Sequence, residues 1–209
     1  MASKESDITL YFLGASRAIR IAWLLEELSL PYELVSSPRA SNGLAPPEFK
    51  AKIPTKLGKS PAIKDGNIVI QESAAIAEFL PKEPAARAKV REWMSAAEGT
   101  FMIHGLAILY ARWRLPEPAR EYLPEMEKGL STNVHNDFSW LESELEGKEY
   151  LVGDDVTAAD ILMGFNTEFI FARNLGTEGG DWPNVKKWLS RNQQREAYKK
   201  AVEKSGYSL

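Results

Sequence analysis

The chain has no cysteine in its 209 residues, which removes disulfides, thiolate metal sites and cysteine nucleophiles together. Histidine is nearly absent as well: His104 and His135 stand far apart, with no neighbouring residues at ligand spacing, so no metal is expected. No apolar run approaches the ~18 residues of a membrane span. The stretch Met1–Asp7 is polar and lacks the apolar segment of a secretory signal. No Asn-x-Ser/Thr acceptor occurs. Neither sign of charge dominates, with 26 Lys and Arg against 29 Asp and Glu and a net charge of −3. Neither nucleic acid nor an anionic membrane surface is therefore an expected partner. The simplest reading of these absences is a cytoplasmic protein.

What is present is 44% hydrophobic and 26% charged, enough for one large or two modest domains with real cores. Ile8–Leu13 has the length and β-enrichment of a buried strand. Gly14-Ala15 break it, and Ser16 stands where a helix N-cap belongs. Arg17–Leu28 reads as a helix on which Arg20 and Glu27, seven apart, form a water-facing stripe. Pro31 ends it, and Tyr32–Val35 reads as a second strand, a β-α-β start that implies a parallel pair. A short helix follows over Pro47–Lys52, closed by Ile53-Pro54. Ala62–Ile70 then forms a hairpin about Asp65-Gly66, and Glu72–Leu80 a helix. The order is βαβαββα.

After Pro81-Lys82-Glu83-Pro84 strand signals nearly vanish. Helical patterns cover Ala85–Arg114, Glu125–Leu145, Thr157–Arg173, Asn184–Arg191 and Arg195–Lys204. The expected organisation is an α/β domain over 1–81, a linker over 82–84 and an all-α domain over 85–209. Thr157 and Asp160 form a short-armed capping box, with Val156 and Ile161 placed as a hydrophobic staple. That signal is structural.

The chemistry is concentrated in Gly58-Lys59-Ser60-Pro61 and Gln71-Glu72-Ser73. A proline at the head of a strand ends ladder pairing there and leaves the Ser60 backbone for a ligand. Glu72-Ser73 opens a helix whose free N–H groups suit a carboxylate. The two features together describe a pocket for a small extended peptide with a free acidic end.

With Ser-Pro before the hairpin, Glu-Ser at the next helix start and an appended helical domain carrying the Thr157–Asp160 box, the chain resembles the cytosolic glutathione transferases. The resemblance runs from about Ile8 to Tyr198. Ser16–Leu25 and Ala45-Pro46-Pro47-Glu48 are most similar to the yeast-type fungal members. It implies a thioredoxin-like N-terminal domain, a cis Pro61 and a homodimer. Glutathione would be a co-substrate, with no other cofactor. Ser60 would pair through its backbone with the cysteinyl part of glutathione. Glu72 and Ser73 would hold the γ-glutamyl end, and Lys59 would approach the glycine carboxylate. Ser16 would donate a hydrogen bond to the sulfur and stabilise its thiolate, serving detoxification by attack on a small hydrophobic electrophile or, as a peroxidase, reduction of an organic hydroperoxide. Ile53–Gly58 departs from the family's Asn/His-Pro-x-Gly run by being longer between Pro and Gly. The absence of cysteine argues against the thiol-oxidoreductase branches.

Each residue also has a plainer reading. Ser16 is an N-cap; Tyr11, its rival for the sulfur, is a core residue; Lys59 is a solvated lysine; Arg17 is a surface cation near Ser16. Phe101, His104 and Ile108 share a helix face that is either core or dimer contact, or, together with Leu13, the lining of the second-substrate pocket. Arg112-Trp113-Arg114 is a cation–π cluster. The alternative for the whole chain is a non-catalytic glutathione or ligand binder, or an assembly module with the same fold.

Overall fold

The computed structural model describes residues 8–55, 57–78 and 84–209. The N-terminal heptapeptide and the linker residues Lys82 and Glu83 lie outside them, and Pro84 already begins a helix. The chain divides into two compact units, one of residues up to 79 together with 193–209, the other of residues 80–192.

The first unit begins with β1 (Ile8–Leu13), α1 (Ala18–Glu27), β2 (Tyr32–Ser37) and α2 (Pro47–Lys50). It continues with β3 (Ala62–Asp65), β4 (Ile68–Gln71) and the single turn α3 (Ser73–Ile76). The expected βαβαββα order is observed. The sheet order is β2-β1-β3-β4, with β1 parallel to β2 and antiparallel to β3, and β3 antiparallel to β4. β1 is buried on both faces, as the continuous run Ile8–Leu13 predicts. Tyr11 and Leu13 pack with Phe49, Ile53 and Ala62.

Two expectations for this unit are corrected. The helix foreseen over Glu72–Leu80 is one turn over its described part. And α1 has no water-facing stripe. Its outer side is covered by the C-terminal helix α9 (Glu196–Ser205), which the sequence had assigned to the helical domain. Trp23 meets Tyr198 edge to face at 5.3 Å. Glu27 accepts from Trp23 Nε1 at 2.8 Å and from Arg195 Nη2 at 2.8 Å. Lys204 donates to the Tyr32 carbonyl at 3.0 Å, its ammonium over the Tyr32 ring. A helix apolar nearly all round is a buried helix, and Arg20 on it is fully buried.

The second unit contains α4 (Pro84–Ala96), a π-helical turn (Ala97–Met102), α5 (Ile103–Arg114), α6 (Leu123–Glu144), α7 (Ala158–Ala172) and most of α8 (Pro183–Gln194). A 3₁₀ segment, Glu117–Tyr122, joins α5 to α6. Its core is aromatic: Trp93, Phe101, Phe138 and Trp140 stack or meet edge on, and Phe138 continues to Phe171 and Trp182. Gly105 lets α5 approach α7, since a Cβ there would lie 2.9 Å from Ile170 Cγ1.

The capping box of α7 forms as foreseen, and Asp160 does more than cap. Its Oδ2 accepts from the Thr157 N–H and hydroxyl, each at 3.0 Å. Its Oδ1 accepts from the Leu151 N–H at 2.9 Å and from Trp188 Nε1 at 2.8 Å. One buried carboxylate thus fixes the preceding loop, the start of α7 and the indole of α8.

Candidate functional site

Register alone assembles the site. Tyr11 pairs with Ala62 across β1–β3, and Ala62 with Gln71 across β3–β4. The end of β1, the start of β3 and the end of β4 therefore share one edge of the sheet. Ser60-Pro61 and Glu72-Ser73 lie immediately beyond that register. The Ser60–Pro61 peptide is cis. The β1–β3 ladder stops at Ala62, and the Ser60 side chain takes over from it. The Ser60 hydroxyl donates to the Tyr11 carbonyl at 2.9 Å and accepts from the Leu13 N–H at 3.0 Å. The main-chain groups of Ser60 take no part in the ladder, as a proline at a strand start requires.

Ser16 sits on the turn after β1, nearly buried. Its hydroxyl donates to the Leu13 carbonyl at 2.6 Å and accepts from the Ala18 N–H at 3.2 Å, so it ties the turn to the first N–H of α1, while the N-cap position itself falls one residue later than expected, at Arg17. The turn holds Ala15 at φ 47°, an uncommon value for a residue with a Cβ. Arg39 secures it: Nε donates to the Gly14 carbonyl at 3.0 Å, Nη2 to that of Ala15 at 3.1 Å and Nη1 to that of Gly43 at 2.9 Å. Nothing in the sequence marks Arg39 for this task, because its acceptors are backbone carbonyls, and the two on the turn lie 25 and 24 residues upstream. A cleft of about 380 Å³ borders the same turn, lined by Gly14, Ala15, Ser36, Arg39, Gly206 and Ser208 among others. Ser60, Glu72 and Ser73 are not part of its lining.

Glu72 is exposed and takes φ 74°, while Ser73 is buried. The Ser73 hydroxyl accepts from Arg20 Nη1 at 3.0 Å. With α3 only one turn long, any carboxylate bound here is met by a hydroxyl and first-turn N–H groups, since a macrodipole needs a longer helix. Lys59, next to Ser60 in the chain, is exposed.

The residues expected around a second substrate divide differently. Phe101 and Ile108 have no exposed surface, and Phe101 is enclosed by the aromatic core of its own unit; neither lines an open pocket. Leu13 is packed in the β1 cluster with Tyr11, which supports the core reading of Tyr11. Of the four, His104 alone is not buried, and its Nδ1 lies 2.7 Å from Asp137 Oδ2 on α6. Of the Arg112-Trp113-Arg114 run, Arg114 lies over the Tyr110 ring at 5.5 Å, whereas Arg112 pairs with Glu127 through both nitrogens, at 2.9 and 2.8 Å. Among the described residues no helix is long and apolar enough to cross a membrane.

Comparison with known proteins agrees with the fold. Residues 6–82 match the N-terminal domain of glutathione S-transferases, and residues 101–196 their C-terminal domain. Glutathione S-transferase 3 of Schizosaccharomyces pombe is 31% identical over 94% of this chain and 87% of its own. Glutathione S-transferase 1 of Saccharomyces cerevisiae is 30% identical over 95% of each. Among solved structures, a glutathione S-transferase from Actinobacillus pleuropneumoniae superposes with a TM-score of 0.79 at 31% identity, covering 95% of this chain and 93% of that one. A glutathione transferase from Burkholderia graminis, solved with two glutathione molecules bound per subunit, shares the fold with a TM-score of 0.76 at 22% identity, covering 97% and 90%. The chain belongs to the glutathione S-transferase family.

Proposed function

We propose that the protein binds glutathione and presents its thiolate to a small apolar electrophile. The observation that carries this reading is the convergence of Ser60-Pro61, Glu72-Ser73 and the Ser16 turn at one sheet edge, set by the Tyr11–Ala62–Gln71 register. In this reading the unpaired backbone of Ser60 extends the sheet onto the cysteinyl residue. Glu72 and Ser73 take the α-amino and carboxylate groups of the γ-glutamyl end, and Lys59 takes the glycine carboxylate.

A free thiol ionises near ~8.5, so at neutral pH most of it is protonated. A hydroxyl that donates to sulfur favours the thiolate, each unit of lowering being worth about 1.4 kcal/mol. Thiolate attack then forms a carbon–sulfur bond while the leaving group departs with its electron pair. With a hydroperoxide, the sulfur attacks the terminal oxygen and the O–O bond breaks, giving an alcohol and a glutathione sulfenic acid. A second glutathione converts that to disulfide and water. A cytoplasmic homodimer is part of the same proposal.

One observation favours a second reading. Serine has a single donor, and that of Ser16 is held by the Leu13 carbonyl at 2.6 Å. Ser16 then shapes the turn, and the protein holds glutathione without using this hydroxyl. Two measurements separate the readings. Titration calorimetry with glutathione is expected to show saturable binding by the wild type. Turnover against a panel of electrophiles and hydroperoxides, compared with Ser16→Ala, is expected to show a loss of about a hundredfold. Unchanged turnover in the variant removes Ser16 from the chemistry, and no glutathione binding removes the function.

A further inference from the structure

We propose, on the strength of the glutathione reading above, that Arg20 is a positioning residue for the γ-glutamyl carboxylate. From the interior it fixes the Ser73 hydroxyl so that its proton points at the ligand. Arg20 has no exposed surface, and Ser73 is 5% exposed. Arg20 Nη1 lies 3.0 Å from Ser73 Oγ, a contact between residues 53 apart in sequence.

The direction of that bond is fixed by chemistry. A guanidinium has donors only, so the serine oxygen accepts. A hydroxyl whose oxygen is engaged from the protein side has its one proton left for another acceptor, and Ser73 opens the turn at which the ligand carboxylate is placed. A guanidinium on the far side of the oxygen also polarises the O–H bond, which strengthens its donation to an anion.

α1 gives this contact its rigidity. Ala18–Leu25 are all buried, and α9 covers the outer side. The same helix carries Ser16 just before its start and Arg20 one turn further along, so the two ends of a bound glutathione would be referred to one rigid element. Glu72, at φ 74°, joins β4 to the turn that carries Ser73. A buried guanidinium is costly to place, and its removal leaves the oxygen of a buried hydroxyl without its donor.

The distinguishing ligand is glutathione with its γ-glutamyl α-carboxylate converted to a carboxamide. It has the same size but carries no charge at that position. Wild-type protein is expected to prefer glutathione over the carboxamide by at least about tenfold in Kd. Because the determinant is buried, the preference is expected to persist at about 1 M salt. Arg20→Gln and the volume-matched Arg20→Met are both to be titrated, so that one can fail to fold without ending the test. In either, the preference is expected to fall to about threefold or less, mainly through weaker glutathione binding. Adding Ser73→Ala to either is expected to cost nothing further.

A merely structural role for Arg20 would weaken both ligands alike and leave their ratio intact, and that result overturns the inference. So does a wild-type preference that collapses at high salt, which would assign recognition to an exposed cation such as Lys59. Equal wild-type affinity for both ligands overturns it while leaving glutathione binding in place. Absence of glutathione binding by the wild type overturns the functional reading itself.

Discussion

Ser16 and Ser60 are joined through the main chain of Leu13: one hydroxyl takes its carbonyl at 2.6 Å, the other its N–H at 3.0 Å. The residue proposed to meet the sulfur and the residue proposed to meet the cysteinyl backbone are thus spaced by a single strand terminus. A change at either is transmitted to the other through one residue of backbone.

Ser60→Ala removes both of its bonds and leaves the Leu13 N–H and the Tyr11 carbonyl without a side-chain partner. The expected cost is about 2 kcal/mol of stability, with a parallel loss of glutathione affinity. Ser60→Thr keeps the hydroxyl and is expected to retain most of both. Urea denaturation followed by tryptophan fluorescence checks the first quantity and calorimetry the second; an alanine variant as stable as wild type refutes the hub.

Arg195 and Glu27 form a two-nitrogen pair in which both side chains are mostly buried, 24% and 14% exposed, and Glu27 also holds Trp23. Arg195→Ala is expected to cost about 2 kcal/mol. A double-mutant cycle with Glu27→Gln should give a coupling of about 1 kcal/mol or more. Coupling near zero would reduce the pair to an ordinary surface contact.

Asp160→Ala strips an acceptor from four donors at once and is expected to cost at least about 3 kcal/mol. Asp160→Asn keeps the shape but turns donors toward donors, and is expected to lose almost as much. Thermal unfolding read at the tryptophans, Trp188 among them, measures both variants; a mild effect in both would show that the carboxylate network is dispensable.

Asp137 gives a pH dependence. Burial raises its carboxyl above the ordinary 3.8, outweighing the His104 ring nitrogen at 2.7 Å. The folded state therefore holds a proton that the unfolded chain has released, and this contribution to stability is full below 3.8 and is lost as pH rises through the raised folded value. Asp137→Asn has no such titration. The stability difference between wild type and Asp137→Asn, from urea melts at closely spaced acidic pH values, should fall with rising pH across that window and then level off. A difference that instead grows with pH would mean that His104 outweighs burial.

Local signals carried the fold. The apolar run Ile8–Leu13 and the Thr157–Asp160 box each contain their own explanation within a few residues and form where they were read, while the hairpin turn read at Asp65-Gly66 falls one residue on, at Gly66-Asn67, with Asp65 paired to Ile68. The same holds for Ser60-Pro61 and Glu72-Ser73, whose neighbourhood follows from strand register. What the sequence concealed depends on partners far along the chain. Arg20 looked solvated because helix spacing shows the polar side but not that α9 covers α1 or that Ser73 supplies a buried acceptor. Phe101 and Ile108 looked available because a helix face reads alike whether it lines a cavity or a core. Arg39 was silent because its acceptors are carbonyls, which every residue has.

The placement of α9 has a consequence for how the protein is made. Its partners Trp23, Glu27 and Tyr32 leave the ribosome early, whereas Arg195, Tyr198 and Lys204 follow only after the entire helical unit has been translated. Domains generally fold as units in the order of synthesis. Here the outer side of α1 stays uncovered until translation passes Lys204, so the first unit to emerge is the last to be completed.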